Sequence, residues 1–525
     1  MKTERSNSAL TSRVLGAFRI LSPITTFFAT LIALLILSGL SLQALNLPRI
    51  FSNNMVLQRN LPIKIWGWAN PGETVEVAFL TQNRSAVAAQ DGKWMVTFGP
   101  TPANATPSEI TITAGEKHVT LKNILVGEVW ICSGQSNMEF TLKETDRAKE
   151  AIETADYPLI RQFKAPHVTN NIPQKDVPGS WAICTPATAP DFTAAGYHFA
   201  LELQKNLHVP IGLINTSWGG TRIEPWTDPE GFKVSDKLND ISELIANSDN
   251  QNIKNQFAYL DKLENWAKTS RETLKAGTKL ANYPGGIPDH PLNGPGKPTG
   301  IYNAMIAPLV PYGIRGAIWY QGESNNGEGM LYYEKMKALI SSWRRIWGQG
   351  EFPFLYVQLA PYTYGKPENL PAIWEAQSAA LNISNTGMAV TTDIGNVSDI
   401  HPKNKAEVGR RLALWALAKT YVVGSAEYSG PVYTAMKIKG KKIILTFDHG
   451  TGLKSNDSKP LTWFTIAGKD KKFITAKAEI VGNTIVVSND GLKKPAAVRF
   501  GWSELAEPNL VNGSGLPASP FRTDK

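Results

Sequence analysis

The run Gly127-Glu-Val-Trp-Ile-Cys-Ser-Gly-Gln-Ser-Asn-Met138 gives the clearest indication of the fold. Its apolar first half is typical of a buried strand, and the residues after Gly134 are polar and compatible with a helix. Ser136 then stands where a strand passes into a helix with free N–H groups, a place that suits a nucleophile. Met138 replaces the final glycine of the G-x-S-x-G elbow, and a lone Ser after Gly is more often a turn residue or a helix cap.

On both sides of this run, apolar strands alternate with helical patterns from about residue 121 to residue 421. This alternation is typical of an α/β domain with a doubly wound parallel sheet. A segment at about residues 228–300 interrupts the alternation, first polar and helical and then rich in Pro and Gly, and we expect an insertion near the site. The predicted strands are Glu128–Cys132, Ile211–Thr216, Ala317–Tyr320, Phe354–Gln358 and Met388–Thr392, and the predicted helices include Ala194–Lys205, Asp240–Lys275, Leu331–Trp347 and Lys405–Thr420.

The flanking regions show the two-residue period of β-strands. Val75, Val77 and Phe79 alternate with polar residues in the first region, and Gly482-Asn483 predicts a hairpin turn in the last. Later strands are expected at Ile443–Phe447, Ile474–Ile480 and Thr484–Val487. We therefore predict an N-terminal β-sandwich at residues 45–120, an α/β domain at 121–425 and a C-terminal β domain at 426–525.

The first 44 residues are predicted to be a signal peptide or an N-terminal anchor. Basic residues precede an apolar run from Ile24 to Leu40, and Ser41-Leu-Gln-Ala44 offers a small residue at a cleavage point. The run is long and Leu42 is bulky for a cleavage site, which keeps the uncleaved anchor as an alternative. Either way the bulk of the protein would be periplasmic or extracellular, with membrane attachment only if the segment is retained.

The composition excludes several classes of protein. A chain of 525 residues with 42% hydrophobic and 19% charged residues is globular, with two to four domains, and not disordered. Three of the nine net positive charges fall in the first 44 residues, and the others form no basic block, so nucleic-acid binding is not indicated. Two Cys and seven His leave little for a disulfide scaffold or a multi-metal site. Cys132 and Cys184 are expected either to pair or to be two buried thiols.

A second polar segment, Asp393-Ile-Gly-Asn-Val-Ser-Asp-Ile-His-Pro402, follows a predicted strand. It places His401 beside Asp393 and Asp399. The loops at the carboxyl ends of parallel strands share one edge of the sheet, so this loop can meet the Ser136 turn. Taken alone, a His in a polar loop is usually only exposed.

Two more loops leave predicted strand ends. Trp218-Gly-Gly-Thr-Arg222 contains paired glycines, which allow close backbone approach and an N–H group directed at an anion. Gln321-Gly-Glu-Ser-Asn325 offers a side-chain amide. Either loop alone could be a tight turn, but four polar loops at successive strand ends form a more specific combination.

Together the four loops resemble the bacterial sialate O-acetylesterase family, within the SGNH (GDSL-like) hydrolase superfamily. The likeness covers most of the chain after residue 44. It implies a serine esterase that removes O-acetyl groups from carbohydrate and needs no metal or organic cofactor. The matching runs are Gly134-Gln-Ser-Asn-Met138, Trp218-Gly-Gly-Thr221, Trp319-Tyr-Gln-Gly-Glu-Ser-Asn325 and Asp399-Ile-His-Pro402, with the opening run at residues 47–58 and the closing run at residues 515–524.

The resemblance implies Ser136 as the nucleophile and His401 as its general base. The superfamily usually places its acid three residues before the His, where this chain has Ser398. Asp399 is preferred as the acid because it is nearest to His401 in sequence, and Asp393 is its rival. A Ser–His dyad held by a backbone carbonyl is the third alternative.

The implied oxyanion donors are the N–H groups of Ser136 and Gly220 and the side-chain amide of Gln321, which replaces an Asn of the superfamily. The substrate-binding residues are predicted to be Arg222, Glu323 and Asn325. Arg222 would pair with a sialate carboxylate or form a structural salt bridge. Trp226 would be a sugar platform or a packed residue.

The expected substrate is an O-acetylated glycan, with 9-O-acetylated sialic acid first. Acetylated xylan or another plant polysaccharide is the alternative, because related esterases share these motifs. A glycan-binding protein without catalytic activity is an alternative of another class. A lipid esterase is disfavoured because the loops around the site are polar.

Overall fold

The computed structural model describes residues 45–424 and 426–524. The predicted signal or anchor, residues 1–44, lies outside the described residues and stays a prediction. Within the described ranges, no helix is both long and apolar enough to cross a bilayer.

The N-terminal region is built mainly from antiparallel strands, and Val56–Gln58 instead pairs in parallel with residues 125–127. β2 (Ile63–Trp68) pairs with β5 (Lys93–Phe98). β3 (Thr74–Phe79) pairs with β4 (Gln82–Val87) and β6 (Asn104–Ala114). Val75, Val77 and Phe79 of β3 are buried, and the Phe79 ring packs edge-on against Phe98 of β5. The alternating pattern of the sequence therefore corresponds to a face that is buried in a shared core. The strands are β1 (Val56–Gln58), β2 (Ile63–Trp68), β3 (Thr74–Phe79), β4 (Gln82–Val87), β5 (Lys93–Phe98) and β6 (Asn104–Ala114).

A long strand, β7 (Lys117–Gly134), joins this region to the central sheet. Its first half pairs with β6, and its second half, from Glu128 onward, continues into the central sheet. The predicted domain boundary at residue 120 thus lies inside a continuous strand. The central strands that follow are β8 (Tyr157–Lys164), β9 (Trp181–Cys184), β10 (Ile211–Asn215), β11 (Gly316–Tyr320), β12 (Phe354–Val357) and β13 (Thr386–Ala389).

The central sheet has the order β13-β12-β11-β7-β10-β8-β9, and only β9, at one edge, runs antiparallel to its neighbour. β8 and β10 lie on one side of β7, and β11 to β13 lie on the other. A reversal of this kind opens a crevice at the carboxyl ends of the strands.

Helices connect the strands of the central sheet. Two helices, α4 (Asn239–Ala246) and α5 (Ser248–Lys275), fall in the predicted insertion, and α6 (Leu331–Trp347) coincides with its predicted range. The predicted helix Lys405–Thr420 is α8 followed by a π-helical stretch, Ala416–Tyr421. The helices are α1 (Ser136–Glu139), α2 (Ala148–Glu153), α3 (Ala194–Leu207), α4 (Asn239–Ala246), α5 (Ser248–Lys275), α6 (Leu331–Trp347), α7 (Asn369–Ala379) and α8 (Lys405–Trp415). The expected α/β fold is confirmed, although the central sheet, predicted to be parallel, is mixed because of β9; additional antiparallel sheets accompany it.

Close contact between β7 and β11 explains the glycine that precedes the Ser136 turn. Gly134 has a φ of +132°, and an added Cβ would lie 2.2 Å from the carbonyl oxygen of Tyr320. Only glycine lets the two strands approach this closely. The turn that follows therefore starts at a fixed point on the edge of the sheet.

The C-terminal region has small antiparallel sheets around a core of its own. Gly482-Asn483 joins β19 (Lys477–Val481) to β20 (Thr484–Ser488), which confirms the predicted hairpin turn. The predicted strand Ile474–Ile480 is in fact two strands, because β18 pairs with β17 whereas β19 pairs with β20. The strands are β14 (Val432–Lys439), β15 (Lys442–Asp448), β16 (Lys454–Ser455), β17 (Phe464–Ala467), β18 (Ile474–Thr475), β19 (Lys477–Val481), β20 (Thr484–Ser488), β21 (Ala497–Phe500), β22 (Leu510–Val511) and β23 (Phe521–Arg522).

Cys132 and Cys184 are free thiols, and both are buried. Of the two alternatives for this pair, the structure therefore has the buried thiols. Burial raises the pKa of both thiols, which makes them poor nucleophiles.

Candidate active site

Ser136 and His401 meet at the carboxyl edge of the central sheet. The imidazole Nε2 of His401 lies 2.8 Å from the Ser136 hydroxyl Oγ. Ser136 begins α1 directly after β7, and His401 lies on the loop between β13 and α8. Asn404 caps α8 by accepting a hydrogen bond of 3.1 Å from the N–H of Glu407, so the helix starts after the loop.

The surroundings of His401 hold its backbone and tune its charge. Asp399 accepts a hydrogen bond of 2.9 Å from the backbone N–H of His401, and the Phe140 ring stacks on the imidazole at 6.1 Å. Burial and the Lys405 charge lower the pKa of His401, whereas the carboxylates of Asp399 and Glu144 act in the opposite direction. Among the described residues, no side chain or carbonyl accepts a hydrogen bond from the imidazole Nδ1.

A cleft of about 370 Å³ opens over this pair. All of its lining side chains except that of Phe140 carry a polar or charged group that a sugar could contact. A larger groove, about 510 Å³, runs along α3 and contains neither Ser136 nor His401. The cleft is lined by Ser136, Glu139, Phe140, Thr141, Lys143, Glu144, Lys164 and His401.

The region around this cleft matches one family of enzymes. A family model described as "Carbohydrate esterase, sialic acid-specific acetylesterase" matches residues 126–279 and 273–418. Together these ranges cover more than half of the chain and include both Ser136 and His401. The chain belongs to this family.

Similar proteins agree on the class of reaction. The chain is 29% identical to a sialate O-acetylesterase of Mus musculus over 522 residues, covering 89% of this chain and 92% of the relative. It is 28% identical to a sialate O-acetylesterase of Homo sapiens, over 90% of this chain and 91% of the relative. The crystal structure of a carbohydrate acetylesterase from Xanthomonas citri aligns with a TM-score of 0.79 and 35% identity, over 92% of this chain and 100% of the other.

The protein is therefore a carboxylic ester hydrolase, a carbohydrate O-acetylesterase, and the alternative of a glycan-binding protein without activity is set aside. The resemblance to the sialate O-acetylesterases is confirmed. Its restriction to bacterial members is not supported, because the mammalian enzymes match over about nine-tenths of the chain.

In this esterase the loop after β10, residues 218–222, lies against the Ser136 turn; we name it the glycine loop. A Cβ added to Gly219 would lie 3.3 Å from the Ser136 Cβ. The Gly219 N–H donates a hydrogen bond of 2.6 Å to Glu139 Oε2, and His167 Nε2 lies 2.7 Å from Glu139 Oε1. Gly220 has a φ of +73°, and a Cβ there would meet nothing within 4 Å, so its backbone borders open space. Neither Glu139 nor His167 was singled out from the sequence.

The Gln321 amide, predicted to be an oxyanion donor, donates its hydrogen bonds to other groups of the protein. Gln321 is fully buried, and its Nε2 donates to the Thr221 carbonyl at 3.2 Å and to Asn325 Oδ1 at 2.8 Å. The Tyr332 hydroxyl donates to its Oε1 at 2.9 Å. Because both amide hydrogens are used, the predicted role does not fit this geometry. The amide instead ties the loop after β11 to the glycine loop.

Arg222 and Asn325 also belong to an internal cluster, in contrast to their predicted contact with substrate. Arg222 donates to Glu224 at 3.0 Å and also pairs with Glu328. Asn325 is buried and donates to both carboxylates at 3.1 Å, and Lys335 neutralises the same two groups. Arg222 thus forms the structural salt bridge that was its alternative role.

Trp226 is fully buried and packs edge-on against Trp319. Its alternative as a packed residue is therefore the one that the structure has. The high Trp content serves the core in the same way at Trp94, Trp130, Trp343, Trp347 and Trp374.

The carboxylate of Asp393, the rival acid, is bound by Arg411 and forms no hydrogen bond with His401. Both of its carboxylate oxygens bind the Arg411 guanidinium, at 2.6 and 2.7 Å. Arg411 also donates to the Val390 carbonyl at 2.5 Å, which fixes the end of the preceding strand segment. Asp393 is thus a structural partner of Arg411.

Glu323 lies beneath the Ser136 turn, not in the cleft where substrate contact was predicted. Its Oε1 accepts a hydrogen bond of 2.6 Å from Asn137 Nδ2, and Asn137 Oδ1 accepts one of 2.7 Å from Lys405 Nζ. Sequence reasoning missed Asn137 and Lys405. One signal was available for Lys405, because a cation at the first residue of a helix opposes the helix dipole and calls for a specific partner.

Proposed function

We propose that this esterase works through an acetyl-enzyme on Ser136, with His401 as its general base. The observation that carries the proposal is the 2.8 Å distance between His401 Nε2 and Ser136 Oγ. This distance lies in the range over which a base takes a hydroxyl proton. Ser136 also lines the cleft, where a sugar ester has access to it.

The SGNH assignment is part of the same proposal. Its support is the arrangement of loops, since the Ser136 turn, the glycine loop and the Gln321 loop follow β7, β10 and β11, which are neighbours in the sheet. The His401 loop follows β13 and reaches the same edge.

In the first half of the reaction, His401 takes the Ser136 proton while Oγ attacks the acetyl carbonyl carbon. General-base assistance of this kind contributes about 10²–10⁴-fold. The tetrahedral intermediate then collapses, the ester C–O bond breaks, and the imidazolium returns the proton to the departing sugar oxygen. In the second half, His401 activates a water that attacks the acetyl-enzyme, which releases acetate and restores the hydroxyl.

The oxyanion is held by backbone N–H groups. Ser136 is the first residue of α1, so its N–H has no partner within the helix and is available at the helix N-terminus. Gly220 supplies the second N–H from a backbone that borders open space. Loss of one such donor typically costs about 10²–10³ in rate.

We assign the acid to Asp399. Its support is twofold: its carboxylate orients the backbone of His401, and its charge favours the imidazolium that forms in the transition state. Asp393 lacks this support because Arg411 occupies its carboxylate.

We propose 9-O-acetylated sialic acid as the substrate. The mouse and human relatives carry the name sialate O-acetylesterase. In the cleft, the Lys164 ammonium forms no hydrogen bond or ion pair with another described residue, although its charge acts on Asp191, so it is available for the sugar carboxylate. Acetylated xylan, which lacks that carboxylate, is the alternative substrate.

Acetate release from both substrates tests the proposal. We expect Ser136→Ala and His401→Ala to lose at least about 10³-fold of wild-type turnover. Ser398→Ala, an exposed neighbour in the His401 loop, is the matched control and should keep full activity. Lys164→Met should raise the KM for the sialic acid ester and leave that for xylan unchanged. Full activity of Ser136→Ala would exclude Ser136 as the nucleophile.

Export remains a proposal based on residues 1–44. A basic start, a long apolar run and a small residue at position 44 support it. N-terminal sequencing of the protein recovered outside the cytoplasm distinguishes cleavage after Ala44 from a retained anchor.

A further inference from the structure

A buried lysine lies under the catalytic pair. Lys405 is fully buried, and its Nζ donates to Asn137 Oδ1 at 2.7 Å and to the Pro402 carbonyl at 2.5 Å. The rings of Phe140 and Tyr320 face the ammonium at 4.7 and 5.5 Å. Burying an ammonium at a helix N-terminus is unfavourable without such partners, so its place in the fold is specific.

The Asn137 carboxamide connects this ammonium to a carboxylate. Lysine can only donate and the Ile400 carbonyl can only accept, so Oδ1 must face Lys405 and Nδ2 must face Ile400 and Glu323. Nδ2 donates to Glu323 Oε1 at 2.6 Å and to the Ile400 carbonyl at 3.0 Å. Lys405, Asn137 and Glu323 thus form one hydrogen-bonded chain, which we name the Lys405 network.

This network holds the backbone on both sides of His401. Asn137 binds the carbonyl of the residue before it, Ile400, and Lys405 binds the carbonyl of the residue after it, Pro402. Asn137 is also the residue next to Ser136 in the chain. The distance between the base and the hydroxyl is therefore set through backbone anchors that start beside the nucleophile.

We propose that the Lys405 network is a positioning device for the esterase reaction, which aligns His401 with Ser136 and keeps the imidazole in its neutral form. The inference rests on the proposed Ser136–His401 mechanism. Lys405 acts through His401 and does not itself touch the substrate.

The charges around the imidazole support the proposal that the network keeps His401 in its neutral form. Lys405 lowers the pKa of His401, after burial, and Asp399 and Glu144 raise it. Lys405 in turn faces Glu323, Asp399 and Glu144, and burial lowers its own pKa to about 7. Below that pH the ammonium is charged and opposes protonation of His401. The imidazole therefore stays a free base to lower pH than it would beside a neutral residue.

Two substitutions separate charge from geometry. Lys405→Met removes both the cation and the hydrogen bonds, whereas Lys405→Arg keeps the cation on a differently shaped group. We expect kcat to fall about 10–100-fold in both, with KM for p-nitrophenyl acetate unchanged, because His401 is displaced from its aligned position. The acid limb of kcat/KM against pH should move to higher pH in Lys405→Met and stay in place in Lys405→Arg.

Lys403→Met is the matched control, since Lys403 is an exposed lysine two residues away and should give the wild-type profile. If Lys405→Met does not fold, Lys405→Gln removes the charge and still donates to Asn137. An unshifted acid limb in the folded neutral variant would overturn the inference. Activity in Ser136→Ala would instead overturn the proposed mechanism, so the two failures are distinguishable.

Discussion

The imidazole Nε2 of His401 lies 2.8 Å from the hydroxyl Oγ of Ser136, although 265 positions separate the two residues in the chain. Their contact depends on the sheet, because the turn after β7 carries Ser136 and the loop after β13 carries His401 to the same edge.

The pH dependence of the esterase should be shifted toward acid. Only the neutral imidazole can take the Ser136 proton, so activity falls as pH drops through the pKa of His401. Burial and Lys405 hold that pKa below its ordinary 6.5. We expect the acid limb of kcat/KM to have its midpoint below pH 6.5 in a pH–rate profile with p-nitrophenyl acetate. A midpoint at or above this value would contradict the arrangement of charges described here.

Substitution of the two aspartates of the His401 loop should affect different properties, kcat for Asp399 and the free energy of unfolding for Asp393. Asp399→Asn keeps an oxygen for the His401 N–H but loses the charge that favours the imidazolium. We expect kcat to fall at least about tenfold, or about 1.4 kcal/mol in the barrier, with little change in unfolding. Asp393→Asn should instead lower the free energy of unfolding by about 1.5–3 kcal/mol, because it removes one of the two carboxylates that bind the buried Arg411 and leaves only Glu407. Denaturation curves and kcat measured on both variants check the ranking, and the reverse ranking would restore Asp393 as the acid.

These same residues show which parts of the site could be predicted from the sequence. The turn at Ser136 and the loop at His401 follow from strand periodicity and turn residues, so their position at one edge was predictable. The partners of Arg222 and Gln321 were not, because they lie about 100 positions away in the chain: the Glu328 carboxylate for Arg222 and the Thr221 carbonyl for Gln321.

Asn137 and Lys405 were missed for a related reason. Their polar side chains match an exposed surface as well as a buried network. Apart from the unfavourable place of Lys405 at a helix N-terminus, only the contact between Lys405 and Asn137 distinguishes the two. The split of the predicted strand Ile474–Ile480 has the same origin, since each half is selected by a different neighbouring strand.

Arg222 should matter for stability and not for substrate choice. Its guanidinium is partly exposed and bound to Glu224 and Glu328. We expect Arg222→Met to lower the free energy of unfolding by about 1 kcal/mol, as for partly exposed ion pairs. The ratio of the KM values for 9-O-acetylated sialic acid and acetylated xylan should stay as in the wild type. A selective rise in the KM for the sialic acid ester would return Arg222 to the substrate-binding role.

The central claim is that Ser136 is the nucleophile, and covalent labelling tests it most directly. Diethyl p-nitrophenyl phosphate forms a stable phosphoester with an activated serine, so no transient acetyl-enzyme has to be caught. We predict loss of esterase activity in step with one label per protein, which peptide mass spectrometry places on Ser136. The Ser136→Ala variant should take up no label. Inactivation with the label on another residue, or equal labelling of Ser136→Ala, would contradict the account.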